Sequence, residues 1–310
     1  MLTMGRAHAF AVAEGGVITA ERDAGVVLPW WSFTKSVIAA AALTQVRDGK
    51  LDLDAPIGSK PFNLRQLLQH RAGVGEYGAL TEYHRAVADR IEPRPVAELL
   101  SRVDADRLWF EPGTGWLYSN VGYLLVRRHL EETVGATLNS VLRERVLEPL
   151  GIKETFIAET PADLVGVMMC GAVGYHPGWV YHGLLVGPLR EAPLLLDRLL
   201  GGALLPSELL GQMLNGHRLN MLIPERSWQE PAYGLGLMCG KVAIGGFIAG
   251  HSGGGPGSVI AVYRLCDRQP IRTGAAFLPG DDAGAVERAA ILRAAGQVRA
   301  QGPGSVSQGS

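Results

Sequence analysis

From Ser32 to Asp48 the chain reads SFTKSVIAAAALTQVRD, apolar on nearly every side of a helix. A helix with no polar face cannot rest on a surface, so this one must be buried, and the rest of the fold has to enclose it. It stops at Gly49, a residue suited to the position just past a helix end. The means to bury it are present: 310 residues, 47% of them hydrophobic, are enough for a large core in two lobes.

Short β-leaning runs precede it, His8 to Ala13 and Val17 to Arg22, separated by Glu14-Gly15-Gly16, which predicts a hairpin. From about Asn63 to Leu214 helical patterns dominate, as in LRQLLQH, VGYLLVRRHLEETVG and PSELLGQML. After Tyr233 the strand-like runs VAIGGFIAG, SVIAVYRL and IRTGAAFL follow in close succession, and a helical run from Asp282 to about Ala300 comes last. Two strands at the start and three at the end make one sheet. The last connections are too short for parallel crossovers, so it is antiparallel. The expectation is an α+β chain in which 1–58 and 232–300 form a sheet-bearing lobe, 59–231 a helical lobe, and 301–310 a disordered tail.

A formal net charge of -1 and the lack of any Lys/Arg run exclude nucleic acid and anionic membrane surfaces as partners. The start, MLTMGRAHAF, has no apolar core of a signal peptide, and no later apolar run is long and uncharged enough to span a bilayer. The protein is expected in the cytoplasm, or in the periplasm if a leader was removed. Cys170, Cys239 and Cys266 are odd in number and widely spaced, which suits buried reduced thiols. His70, His84, His176, His182 and His217 lack metal-binding spacings, and the G-x-G-x-x-G match at Gly73 to Gly78 follows a helical run, so no metal and no cofactor is expected. His182, in WVYHGLL, is within reach of the pocket but is read as a structural histidine.

GHSGGGPG, from Gly250 to Gly257, contains G-x-S-x-G, but no histidine follows His251 and the next segment is a strand. A nucleophile elbow needs a helix there and a later histidine. A trypsin-like arrangement is contradicted by the long helical middle. The better nucleophile is Ser32 in WWSFTK, with Lys35 at i+3 on the same helix face. A serine hydroxyl needs a base, and a desolvated lysine at a helix N-terminus can become one. Among 29 basic residues only five are lysines, so a lysine here is informative, because arginine cannot give up its proton.

WLYSNVGY then supplies Tyr118-Ser119-Asn120, and GHSGG supplies His251-Ser252-Gly253. In this order and spacing the chain resembles the serine β-lactamase and penicillin-binding-protein family, whose elements are S-x-x-K, Y-x-N and [KH]-[TS]-G. GKLDLDAPI, LRQLLQHRAGV, FEPGTGWLYSNVGYLL, VLEPLGIKET and YGLGL are similar to its branch of class C β-lactamases, D-stereospecific peptidases and related esterases. The resemblance implies a five-stranded antiparallel sheet flanked by helices, with an inserted all-α lobe and the active site between them.

It also implies roles. Ser32 would be acylated, Lys35 would exchange its proton, and Tyr118, as phenolate or shared-proton phenol, would relay protons to the leaving group. Asn120 would hold Lys35 and a substrate carbonyl; His251, Ser252, Gly253 and Gly254 would line the strand edge, with the N–H groups of Ser32 and Gly254 as oxyanion hole. Two features depart from the family. Trp30-Trp31 replaces small residues before the serine, where the pair would crowd or line the pocket, and His251 stands where most β-lactamases have lysine. The implied function is a serine hydrolase acting through an acyl-enzyme on a small ester, amide or peptide. The alternatives are a D-amino-acid peptidase or weak β-lactamase and, from another class, a catalytically silent binding protein.

Overall fold

The structure, a computed structural model, describes residues 9–172, 174–221 and 224–297. His8, the tail at 301–310 and the last residues of the final helical run lie outside these. In chain order the strands are β1 (Ala9–Glu14), β2 (Val17–Arg22), β3 (Val27–Pro29), β4 (Phe156–Ala158), β5 (Leu184–Pro188), β6 (His217–Arg218), β7 (Trp228–Tyr233), β8 (Met238–Val242), β9 (Phe247–Gly255), β10 (Ser258–Leu265) and β11 (Arg272–Pro279). The helices are α1 (Thr34–Arg47), α2 (Leu64–Leu68), α3 (Thr81–Ala88), α4 (Val96–Arg102), α5 (Asn120–Val134), α6 (Leu138–Leu142), α7 (Glu191–Leu200), α8 (Ser207–Leu214) and α9 (Ala283–Ala294).

Eight strands form one antiparallel sheet in the order β2-β1-β11-β10-β9-β8-β7-β6, and β3, β5 and β4 form a second, three-stranded sheet. The expected five strands are therefore too few, for local reasons. VAIGGFIAG is a turn between two strands: Gly245 and Gly246 take φ of 76° and 101°, which reverses the chain between β8 and β9. Strand β7, WQEPAY, is polar and carries a proline because only the two-residue β6 lies beyond it at the sheet edge. His217–Arg218 and Trp228–Tyr233 thus join the sheet instead of a helical lobe. Strand β5, LLVGP, is buried along its whole length, and a short run that is apolar throughout cannot be told from a buried helix by periodicity.

Alternation along β10 sorts the core onto two sides. Ile260 and Val262 face the main core with α1, whereas Val259, Ala261, Tyr263 and Leu265 face a smaller cluster under α9. Helix α7 packs on β1, β10 and β11 and is pinned there by Asp197. That carboxylate, 3% exposed, accepts from Arg264 Nη1 at 2.6 Å, Thr273 Oγ1 at 2.8 Å and the Gly16 N–H at 2.7 Å.

As its sequence demanded, α1 is enclosed, with every residue from Thr34 to Gln45 buried. Two contacts set where it starts. Strand β3 pairs with β5, the Trp30 N–H donates to Leu185 O at 2.8 Å, and the Leu185 N–H donates to Thr34 Oγ1 at 3.1 Å. The small sheet thus delivers the chain into α1 at a fixed point. On another side the YGLGL turn lies against the helix, with Ser36 Oγ donating to Gly236 O at 2.7 Å; a Cβ at Gly236 would run into Ala39. No helix among the described residues is long and apolar enough to cross a membrane.

Candidate active site

Ser32 sits in a single 3₁₀ turn, Trp31–Phe33, at the head of α1. Trp31 takes φ of 42°, a left-handed value that costs a bulky residue on the order of 1–3 kcal/mol. Its surroundings hold it there: Nε1 donates to Ser258 Oγ at 3.1 Å, and the ring packs edge-on to Tyr175 at 5.8 Å. Trp30 is fully buried beside Phe33. The tryptophan pair therefore forms a wall behind the serine. Ser32 itself remains half-buried in an otherwise buried stretch.

One turn on, Lys35 is completely buried. Its Nζ lies 3.1 Å from Ser32 Oγ, 2.6 Å from Asn120 Oδ1 and 3.1 Å from His182 Nε2, with the Tyr118 ring centroid 5.1 Å away. None of the three contacts is a charge. Desolvation therefore lowers the ammonium pKa from 10.5 to about 7, against an upward pull from Glu76. An unperturbed lysine is neutral about once in three thousand at pH 7. With its pKa lowered to about 7, a substantial fraction of this one is neutral at that pH.

Tyr118-Ser119-Asn120 is placed by the start of α5. Ser119 is the N-cap: its Oγ accepts from the Gly122 N–H at 2.9 Å and donates to Gly75 O at 2.7 Å, while its own N–H donates to His70 Nδ1 at 3.0 Å. Asn120, the first helical residue, donates from Nδ2 to Glu76 Oε1 at 2.7 Å, and its backbone N–H donates to Glu76 Oε2. Glu76 thereby turns the Asn120 carbonyl oxygen toward Lys35. Tyr118 stands among the rings of His70, at 4.3 Å, and of Tyr233 and His251, each at 6.3 Å. Burial pushes its phenol pKa up, and a hydrogen bond with Ser32 opposes this only in part. Of the two expected forms, the geometry supports the protonated phenol.

The third element lies on β9, whose pairing with β10 runs to Gly255 but whose pairing with β8 ends at Gly250. The backbone from His251 onward is thus a free edge on the β8 side. His251 is 1% exposed: Nε2 is 2.8 Å from Tyr233 Oη, and Nδ1 bonds to Ser252 O. Burial drops its pKa to about 3, so the ring is neutral. Both ring nitrogens are thus engaged within the protein, and the ring stands beside Tyr118. Ser252 Oγ accepts from Arg226 Nη2 at 3.1 Å, and Arg226 is held in turn by Glu287 at 2.5 and 2.6 Å. Gly253 passes so close beneath Ser32 that a Cβ would run into the Ser32 amide; Gly254 is exposed.

Two further residues stand at this site: Glu76, which no motif in the sequence marks, and His182, read there as structural although within reach of the pocket. The signal is weak in both: a carboxylate between glycines, and a histidine ahead of an apolar run.

A sequence profile of the family described as Beta-lactamase matches residues 6–278. The chain is 32% identical over 168 residues to Esterase EstB of Burkholderia gladioli, covering 47% of this chain and 41% of the esterase. It is 30% identical over 166 residues to a D-aminopeptidase of Cereibacter sphaeroides, covering 50% of this chain and 32% of that protein. Each match thus spans less than half of the relative. Among solved structures, the D-amino acid amidase from Ochrobactrum anthropi SV3 superposes with a TM-score of 0.75 at 22% identity, over 94% of this chain and 95% of that one.

Proposed function

The chain belongs to the beta-lactamase family, and on that premise we propose that it is a serine hydrolase that acylates Ser32 with the acyl group of a carboxylic ester or amide. One observation carries the reading: a buried Lys35, with its pKa lowered to about 7, lies 3.1 Å from the Ser32 hydroxyl. As Ser32 Oγ bonds to the carbonyl carbon, its proton passes to Lys35 Nζ. The oxyanion is received by the backbone N–H groups of Ser32 and Gly254. As the carbonyl re-forms, Tyr118 gives its proton to the departing oxygen or nitrogen and regains one from Lys35. Water then reverses the sequence, giving its proton to the site and its oxygen to the acyl carbon, and Ser32 is released.

Within this chemistry the charges favour esters over β-lactams and amino-acid amides. His251 is neutral and Arg226 is neutralised by Glu287, so neither is a free cation for a β-lactam carboxylate. The carboxylates Glu76 and Glu287 are spent on Asn120 and Arg226, which leaves neither to hold a substrate ammonium group. Resemblance to relatives named as esterase and as D-aminopeptidase fits hydrolysis at a carbonyl in either case.

Labelling with a fluorophosphonate followed by peptide mapping tests the mechanism. A covalent adduct on Ser32 is expected; an adduct on Ser252, or none on folded protein, refutes it. Short-chain p-nitrophenyl esters should turn over faster than nitrocefin, and the reverse ranking of kcat/KM would favour a β-lactamase.

A further inference from the structure

A neutral amine has one lone pair and two N–H bonds, so occupying both N–H bonds with other partners holds the lone pair toward the remaining neighbour. Lys35 Nζ has three partners at hydrogen-bond distance, Ser32 Oγ, Asn120 Oδ1 and His182 Nε2. The role of Asn120 is settled by Glu76: with Nδ2 donated to that carboxylate, Oδ1 accepts from lysine. This uses one N–H. We infer that His182 is a positioning residue whose Nε2 accepts the second N–H of neutral Lys35, so that the lone pair is aimed at Ser32 Oγ. The inference rests on the acyl-enzyme reading above.

The state of His182 suits the task. The residue is 2% exposed, and Nδ1 has no hydrogen-bond partner among the described residues. If Nε2 accepts, the single proton of a neutral ring must sit on Nδ1, so this tautomer leaves a buried N–H unmatched. That cost is offset where Nε2 gains the Lys35 N–H. Burial and the nearby charges of Lys35 and Arg127 hold the imidazolium pKa well below its ordinary range, which keeps Nε2 free to accept. The opposite tautomer, with its proton on Nε2, would draw the lysine lone pair away from the serine.

The backbone supports the same geometry. His182 lies two residues before β5, and Leu185 of β5 is bonded both to Trp30 and to Thr34, on either side of Ser32. Nucleophile and acceptor therefore share one frame. Other groups face Lys35 from every side: Glu76, His70 and Tyr118 from the loops around α5, Tyr123 from α5 itself and His251 from β9. Glu76 is the one carboxylate among them. When the Ser32 proton moves to Nζ, Asn120 and His182 keep their two N–H bonds and the new one points back toward Ser32, ready to be returned.

The test compares the rate of fluorophosphonate labelling across pH in wild type, His182→Phe, His182→Asn and His182→Gln, with the adduct mapped and each fold checked by thermal melting. Phe fills the space without an acceptor, and Asn is too short to reach Lys35. Both should lower the plateau rate by on the order of 10- to 100-fold, the scale of a hydrogen bond to a charged group. Both should also move the acidic limb to lower pH, because the ammonium loses an acceptor. Gln, whose Oε1 reaches the position of Nε2, should restore most of the rate and the wild-type limb. Wild-type rates and limb in Phe and Asn would overturn the inference, as would an equal fall in all three with an unmoved limb, which marks a structural role. If Phe does not fold, the contrast of Asn with Gln decides. Absence of any Ser32 adduct in wild type would refute the acyl-enzyme reading as well, whereas normal wild-type labelling with insensitive variants would overturn the role of His182 alone.

Discussion

A fully buried cation and a largely buried one meet opposite surroundings in this protein. Arg264 gives Nη1 to the Asp197 carboxylate at 2.6 Å, and Thr273 and the Gly16 N–H complete the acceptor's shell. Lys35 is buried at least as deeply, yet its contacts at Ser32, Asn120 and His182 are all uncharged. A buried cation given its counter-ion keeps its charge and serves as a pin. Denied one, it sheds its proton near neutral pH and becomes a base. Arg226, on Glu287, follows the first pattern within a few residues of the cleft.

The contrast breaks most visibly at Asp197. Asp197→Ala strands Arg264 and two further donors, and should cost about 3–5 kcal/mol of unfolding free energy in urea titration, while the folded fraction keeps its turnover. A loss below about 1 kcal/mol would show that the pair is no pin.

Lys35→Arg should act chiefly on turnover, with kcat/KM of the folded protein down by about 10²-fold or more, since arginine keeps the charge but cannot release its proton; a permanent cation in this uncharged pocket should also lower the melting temperature. Wild-type kcat/KM should meanwhile rise with pH through about 7, because the reactive form is neutral Lys35 and burial has lowered its pKa to that value. A profile flat across neutrality, or an active Arg variant, would make Lys35 a fixed charge like Arg264.

Glu76→Gln sharpens the comparison by changing a charge without touching lysine directly. It removes the upward pull on the Lys35 pKa, so the acidic limb should move to lower pH. It also weakens the hold on Asn120, with an expected fall in kcat of about tenfold. An unmoved limb would separate Glu76 from the lysine altogether. The smallest effect is expected for Ser252→Ala, where one hydroxyl already engaged by Arg226 is lost and the backbone donors remain. It should cost less than about tenfold, roughly 1.4 kcal/mol. A dead Ser252→Ala with an active Lys35→Arg would return the nucleophile to β9.

Much of this was legible in the residues because it is local. The burial of α1 follows from a side-chain pattern that repeats every turn, and Ser32 meets Lys35 because they are three apart on one helix. Tyr118 and Asn120 flank an N-cap serine, again a local arrangement. What stayed hidden depends on distance along the chain. Glu76 acts on Asn120 across 44 positions, and His182 on Lys35 across 147. No spacing rule links such residues, and a buried histidine looks the same in a sequence whatever it touches. The sheet was undercounted for a different reason: β7 is polar because it lies near an edge, and β5 is apolar on both faces, so neither shows the alternation that marks a half-buried strand.

The small sheet has a consequence for how the protein tolerates insertions and deletions. Strands β4 and β5 bracket residues 159–183, and β5 is bonded on both sides of the nucleophile. Length changes in its mostly exposed start, residues 159–166, can be absorbed there, whereas Tyr175 and Trp179 further on are buried and Tyr175 packs on Trp31. A single residue deleted from β5 cannot be absorbed, because a slip of one turns every side chain to the opposite face, and here it would also carry His182 and the Trp30 and Thr34 contacts out of register. Length variation compatible with activity should therefore cluster between residues 159 and 166 and stop short of β5, so that new substrate walls can be tried on a frame that does not move.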